Sequence, residues 1–332
     1  MPHFQRCLAL LNTRSGAREA LSVYASALRQ YLDKAGVVHT DVHVPAASSI
    51  AALRDHLAAS DCLIVCGGDG TVSSVVNTLA LTAAPAQLRT PVLVVPCGLQ
   101  NSIAHSLGLS SAERAVSAFV TGRADAVPVW EVRVDGKVVR YVVSYVAVGS
   151  YADIVRRFHH LGAAGDEYVA ALPMVTNKFY AAAVYTTVRA DTVPCRLRLH
   201  RADGAETVYE PPLRTAVLAQ MPFQHGGFSL TPAATYKRRE LAATVATAAA
   251  TRLRLWHLLR CEAVDGLVEE ADGVSAHTGL TAATLEVLSP EGDAAETDAE
   301  VCLMLDGEQM RVARGSVVTV TATTLHLPFM IC

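Results

Sequence analysis

The sequence has no run approaching the roughly 18 consecutive apolar residues that a membrane-spanning helix needs. Its longest candidate, Leu241–Ala250, is rich in Ala and Thr and is followed by Arg252 and Arg254. The apolar Cys7–Leu11 run is shorter than the roughly 7–15 residues of a signal-peptide core and has no small-residue exit, so membrane contact is expected to be peripheral. Charged residues make up 18% and the net charge is -3, which leaves no basic stripe to neutralise phosphates, and no nucleic-acid partner is expected. The eight cysteines (Cys7, Cys62, Cys66, Cys97, Cys195, Cys261, Cys302, Cys332) form no CxxC pair. Buried reduced thiols in a cytoplasmic protein fit better than a disulfide framework or a zinc site. A Walker A sequence, a GxGxxG of the dinucleotide type and a solenoid repeat are also missing.

What is present is apolar. At 332 residues and 51% hydrophobic content the chain can bury large cores, and two domains are expected. Up to about residue 125, short apolar runs (Cys7–Leu11, Val37–Val44, Cys62–Cys66, Val92–Val95) alternate with helical stretches (Ala17–Ala35, Ser48–Leu57, Val72–Leu81). A short helix from Ser102 and one from Ser110, with Ser110 and Glu113 as a capping box, complete this part. Alternation of this kind predicts an α/β domain, residues 1–125, with a mainly parallel sheet. From 126 to 310 the texture is β-rich, beginning with a type I′ hairpin signal at Asp135-Gly136 between Val127–Val134 and Lys137–Val148. Further turn signals at Asp203-Gly204, Gly226-Gly227, Asp272-Gly273 and Asp306-Gly307 predict a mostly antiparallel β-sandwich. Residues 311–332 are expected to pack back on the first domain, and the acidic stretch Ala263–Asp298 to include a surface loop.

Three glycine-bearing loops follow first-domain strands, where open α/β sheets bind ligands. They are Asn12-Thr13-Arg14-Ser15-Gly16, Gly67-Gly68-Asp69-Gly70-Thr71 and Pro96-Cys97-Gly98-Leu99-Gln100-Asn101. Glycines let backbone approach an anion, and helix N-termini aim N–H donors at it. Asp69 would repel a phosphate unless it held Mg²⁺ or accepted a proton.

The Gly67–Thr71 loop followed by Val75-Val76-Asn77 resembles the signature of the diacylglycerol kinase catalytic domain. Pro96–Ala104 resembles that family's P-x-G-S/T-G-N-x-x-A loop. Gly149-Ser150-Tyr151-Ala152-Asp153, followed by Leu161-Gly162, is similar to a segment of sphingosine and ceramide kinases, and Asp306-Gly307-Glu308 resembles the family's late DGE motif. The resemblance implies a Rossmann-like, phosphofructokinase-like first domain that binds ATP and a second that binds lipid. It implies a nucleotide site of Asn12, Thr13, Arg14, Gly67, Gly68, Gly70, Thr71, Gly98, Leu99, Gln100, Asn101, Asp306, Gly307 and Glu308. Asp69 would be the catalytic carboxylate at the lipid hydroxyl, Asp153 would face the head group, and Mg²⁺ would accompany ATP. The tail would occupy a cavity in the second domain, with Tyr168, Leu172, Met174, Val175 and Phe179 of a helix Glu167–Tyr185 as candidate lining.

The implied activity is an ATP-dependent lipid kinase acting at membranes from the cytoplasm, with a sphingoid base as acceptor ahead of diacylglycerol or ceramide. The chain departs from the pattern at Thr13, Ser74, Gln100 and Val155, and where phosphate-binding arginines are expected it has His159 and Gly165. Arg156 and Arg157 are the candidates to replace that charge. The alternative is a relative that binds nucleotide or lipid without turnover. An NAD kinase shares only the Gly67–Thr71 loop.

Overall fold

A computed structural model describes residues 3–16, 18–44, 54–82, 87–163, 175–224, 226, 228–259, 272–289 and 300–332. Strand β1 (Arg6–Leu11) leads to helix α1, α-helical at Ala20–Val23 and Gln30–Ala35 with a π-helical Tyr24–Arg29 between. Then come β2 (Val38–His43), α2 (Arg54–Ala58), β3 (Cys62–Gly67), α3 (Asp69–Thr82), β4 (Val92–Pro96), α4 (Ser102–Ser106) and α5 (Ala112–Thr121). The strands pair in parallel in the order β2-β1-β3-β4. Every residue of β3 is buried, as expected of a strand with both faces covered. Because β1 lies between β2 and β3, the order reverses there, and the loops after β1 and β3 open side by side at the sheet's carboxyl edge. The first core packs Leu8, Leu10, Ile64, Val65, Val76 and Leu93 with Phe119.

The second part begins with β5 (Ala124–Val134) and β6 (Lys137–Val142), joined by Asp135 and Gly136, both at positive φ as the type I′ turn requires. Next come β7 (Tyr145–Gly149), α6 (Ser150–Ala163), α7 (Val175–Arg189), β8 (Cys195–Arg201), β9 (Glu206–Tyr209), β10 (Leu213–Ala219) and β11 (Leu241–Thr247). They are followed by α8 (Arg252–Leu259), β12 (Val274–Val287), β13 (Val301–Leu305), β14 (Glu308–Val312) and β15 (Val317–Met330). One layer runs β14-β13-β7-β10-β11-β12, and all pairs are antiparallel. The far half of β12 bends into a second layer, between β8 and β15, where β15 also pairs β5. The sandwich core between the layers includes Trp130, Val148, Leu197, Leu218, Val245, Leu285, Leu303 and Val320.

Several expectations are corrected here. The run Lys137–Val148 is two strands, because the chain turns at Val143-Ser144 to pair β7 with β10 and β13. The N-cap of α5 is Ser111, whose hydroxyl accepts from Arg114 N–H at 3.3 Å, and not Ser110. The stretch 263–298 contains β12, a central strand; its remainder lies outside the described residues. Among the described residues, the void in the sandwich centre lined by Val146, Leu197, Leu218, Leu285 and Val320 is about 20 Å³, room for about one water. The lipid cavity expected along the helix Glu167–Tyr185 falls mostly outside the described residues. Tyr168, Leu172, Met174 and Gly165 lie outside the described residues, as do the side chains of Val175 and His159. Phe179 is a buried member of a core against α6 and α8. The last residues, Leu327, Phe329, Met330 and Ile331, are buried in the first core, where Phe329 pairs with Val92 of β4 in parallel.

Asn77, in the signature's Val-Val-Asn, ties the two parts together. Its side chain donates to Tyr141 O (2.9 Å) and accepts from Tyr141 N–H (2.8 Å), clamping α3 to β6. Nearby, Arg140 donates to Ser73 Oγ at 3.2 Å.

On edge strand β2, His39 lies between Asp41 (2.9 Å) and Asp33 (3.1 Å), and Tyr24 donates to Asp41 at 2.7 Å. Burial pulls the imidazole down, but the hydrogen bonds to Asp33 and Asp41 outweigh it and leave its pKa above the ordinary 6.5. The charged imidazole is therefore favoured in the folded state. Its stabilisation is complete below pH 6.5 and is lost as pH rises through the higher folded value. His39→Gln is expected to flatten the pH dependence of thermal stability from pH 6.5 upward through the folded value. An unchanged slope would mean that the imidazole does not titrate against these carboxylates.

Candidate active site

The three glycine loops meet at one edge and touch through their glycines. A Cβ on Gly68 would lie 2.9 Å from Gly98 Cα, and one on Gly16 would collide with the Cys97 carbonyl. Gly67 is filled by its own loop, with Thr71 Oγ1 at 2.5 Å from a would-be Cβ. These glycines are needed for loop-to-loop packing before any ligand is considered. Polar side chains lock the same arrangement. Asn12 Nδ2 donates to Thr71 Oγ1 at 2.8 Å, and Asn12 Oδ1 accepts from Arg14 N–H at 3.0 Å. Asn101, at φ 52, closes its own turn by accepting from Gly98 N–H (2.7 Å) and donating to Gly98 O (2.9 Å).

A cleft of about 410 Å³ opens between these loops and the β13–β14 hairpin. Asn12, Arg14, Gly68, Asp69, Gly70, Thr71, Gly98, Leu99 and Gln100 line it from the first part, and Gly307 and Glu308 from the second. Ser15 and Gly16 of the first loop and Ser74 also line it, as do Val44 and Phe158, which sequence reasoning missed. The residue types of these last two carry no functional signal, and Phe158 arrives from α6, far along the chain. Thr13, Gly67, Asn101 and Asp306 do not line the cleft.

The two carboxylates in the cleft are differently placed. Asp69 is the first residue of α3, not a mid-loop residue, and its side chain points at the N-terminus of α4. Its Oδ1 accepts from Ile103 N–H at 2.9 Å and its Oδ2 from Ser102 N–H at 3.1 Å. Burial pushes this carboxyl above the ordinary range, while those N–H groups and His105 pull the other way. Glu308, in contrast, accepts no hydrogen bond from the described residues. Its carboxylate lies over Gly70, where a Cβ would collide with Oε1. Asp306, two residues earlier, is fully buried and accepts from Val143, Ser144 and Tyr145 N–H, each at 2.8 Å. Burial pushes it up to about 6 against those three bonds. It thus holds the β6–β7 bend and fixes the hairpin turn that delivers Glu308.

Gly70→Ala is expected to leave the fold intact, because the colliding atom is the end of a flexible side chain, and to displace Glu308. Turnover should fall by roughly tenfold or more, as misplaced catalytic groups do, at an unchanged melting temperature. Full turnover in this variant would show that the position of Glu308 is irrelevant.

Asp153 lies elsewhere. On α6, it is bonded to the guanidinium of Arg156 and to Arg157 Nε (2.5 Å), with Thr186 Oγ1 at 3.3 Å. Burial raises its carboxyl pKa, but the two arginines outweigh it and hold it below the ordinary range. It lines a second cleft of about 380 Å³ with Ser150, Arg156, Asp191, Glu300 and Arg311. The arginines expected to replace the lost phosphate-binding charge are therefore occupied with Asp153, and Arg157 also stacks on Tyr185 at 4.2 Å. Among the described residues, Arg14 is the one cation lining the main cleft.

The fit to a nucleotide with Mg²⁺ can be judged from the site itself. Gln100 Nε2 is a buried donor with no partner among the described residues, and Val44, Leu99 and Phe158 give the cleft apolar lining. No group of three metal-ligating side chains occurs among the described residues. Two carboxylates suit an ion held largely by nucleotide phosphates, as Mg²⁺ commonly is.

The chain matches, over residues 6–132, the family model of the diacylglycerol kinase catalytic domain. Its fold is shared end to end with two solved structures from Bacillus anthracis str. Sterne. One, a provisionally named diacylglycerol kinase, is 17% identical at a TM-score of 0.71, covering 100% of this chain and 99% of that one. The other, a diacylglycerol kinase, is 15% identical at 0.66, covering 100% and 98%. An NAD kinase from Archaeoglobus fulgidus in complex with ATP aligns at a TM-score of 0.47 and 12% identity over 98% and 93% of the two chains, too distant to bear on function. A search of curated proteins finds no match. No helix among the described residues is long and apolar enough to cross a membrane. The described cysteines are free and five of the seven are buried.

Proposed function

We propose that the chain is an ATP-dependent lipid kinase that transfers the γ-phosphoryl group to a lipid hydroxyl in the main cleft. The observation that carries this reading is the meeting of Glu308, free of partners among the described residues, with the Gly67–Thr71 loop across the two halves of the molecule. Bound ATP with Mg²⁺ supplies the phosphoryl group and neutralises its charge. Backbone N–H groups of the loops, with Arg14, hold the phosphates, and Asp69 is placed to bind the metal. Both Asp69 oxygens are held by N–H donors of α4, whereas Glu308 accepts no hydrogen bond from the described residues and is the freer of the two carboxylates. Glu308 takes the proton of the attacking hydroxyl.

The acceptor is a neutral lipid hydroxyl of the diacylglycerol type ahead of a sphingoid base. The case for a sphingoid base rested on Asp153, and that carboxylate is already neutralised by two arginines. A cationic amine would have to displace one of them. Among the described residues the sandwich centre has no room for an acyl chain, and on this reading the lipid is taken from a membrane surface. A second reading, nucleotide binding without turnover, draws on the single lining cation. Incubation with labelled ATP, Mg²⁺ and a panel of diacylglycerols, ceramide, sphingoid bases and NAD tests both. Labelled lipid supports the kinase, nucleotide binding without labelled lipid supports the second reading, and labelled NAD removes both.

A further inference from the structure

We propose that Gln100 is a phosphate-binding residue of this chain, its side-chain amide donating to a phosphate oxygen of the nucleotide; this rests on the kinase reading above. Two observations converge on it. The Nε2 atom is buried with no hydrogen-bond partner among the described residues. A buried donor without an acceptor is costly and is kept where a ligand completes it. The residue lines the main cleft, so a side-chain rotation suffices to bring the donor to a ligand there.

The loop that carries Gln100 is also rigid. Asn101 closes it by two bonds to Gly98, and Gly98 is pressed against Gly68 of the neighbouring glycine loop. The amide is therefore held beside the backbone that would cradle an anion. Its neighbour Leu99 is half exposed at 51% and apolar, suited to a base or an acyl chain and not to a phosphate.

Charge sharpens the argument. Asp69 and Glu308 bring two carboxylates to the cleft, and Arg14 is the one lining cation among the described residues. A triphosphate there needs further donors. A neutral amide provides N–H groups without repelling Mg²⁺. The resembling loops carry glycine at the position of Gln100. On this reading the departure is a compensation for missing cations and not a sign of decay, and Gln100→Gly weakens nucleotide binding instead of improving the enzyme.

Calorimetric titration of wild type, Gln100→Met and Gln100→Gly with ATP, ADP, adenosine and pyrophosphate, at fixed Mg²⁺, tests it. Methionine keeps the length and removes the donor. The expected result is an ATP and ADP Kd raised about tenfold or more in both variants, the range for a lost hydrogen bond to a charged group. Pyrophosphate should lose comparably and adenosine should bind unchanged. Apo Gln100→Met should melt at or above the wild type, since an unpaired buried donor is gone. Unchanged ATP affinity overturns the proposal. Equal losses for adenosine and ATP overturn it too, by placing the amide on the base or ribose. A fall in apo melting temperature with uniform losses assigns Gln100 to loop structure and likewise overturns it. A wild type that binds none of the four ligands removes the kinase reading and this proposal together, whereas normal ATP binding by all three proteins removes only the latter.

Discussion

Glu308→Gln lowers turnover by roughly 10²–10⁴-fold, the usual worth of a positioned general base, with little change in apo melting temperature or in ATP affinity. Substitution by the isosteric amide removes the basic oxygen and little else, because the carboxylate makes no hydrogen bond to the described residues that an amide would break. Its position is set from behind, by Asp306 and the three N–H groups of Val143, Ser144 and Tyr145, and these are untouched. Single-turnover measurement of phosphoryl transfer at saturating ATP, alongside calorimetric binding, separates the chemical step from nucleotide affinity. A variant that binds ATP weakly but transfers at the normal rate would return Glu308 to nucleotide binding, the role its motif alone suggested. Retained turnover with retained binding would take the hairpin out of the site.

The sequence announced the parallel sheet, the type I′ hairpin and the order of the motifs, because each rests on local chemistry. Continuous apolar runs, a Gly at positive φ and a glycine loop at a strand end are written in neighbouring residues. What it left hidden depends on contacts made at long range. The glycines of the three loops looked like a phosphate cradle, yet Gly68 faces Gly98 and Gly16 faces Cys97. A run of glycines reports that something approaches closely, not what. Asp306 reads as a ligand-facing turn residue until its bond partners, more than 160 positions earlier, bury it. The same blindness affects the sandwich. Its apolar strands are equally compatible with a hollow lipid-binding barrel and a filled core, and only packing across the two layers shows that Val146, Leu218 and Leu285 close the space. Asp153 was legible as a carboxylate near the expected head-group position. That Arg156 and Arg157 would turn to it follows from their i+3 and i+4 spacing on one helix, a pattern visible in the sequence and outweighed there by the motif.

Asp69 is expected to separate structure from chemistry through two variants with different costs. Asp69→Ala leaves Ser102 and Ile103 N–H without their acceptor at the start of a five-residue helix. Each orphaned donor costs about 1–3 kcal/mol when no water reaches it. At least one such cost, about 1–3 kcal/mol, and a melting temperature several degrees lower are expected. Asp69→Asn keeps one carbonyl acceptor and removes a charge that burial disfavours, the reason the Asp69 carboxyl sits above its ordinary range. Its melting temperature should therefore stay near that of wild type. The sign of the pH dependence follows from the same shift. A carboxyl with a raised folded pKa contributes stability that is fully present below its unfolded value of about 3.8 and lost as pH rises through the folded one. Asp69→Asn should remove that part of the profile. Both variants should lose turnover by roughly 10²-fold or more, since a carboxylate placed to hold Mg²⁺ at the transferring phosphate acts on charge that develops in the transition state. For Asp69→Asn, raising Mg²⁺ should recover part of the rate, which a lost proton acceptor would not allow. No recovery at any Mg²⁺ concentration, with a fold as stable as wild type, would move the proton-accepting role from Glu308 to Asp69. Wild-type melting in Asp69→Ala would show that α4 does not depend on this carboxylate.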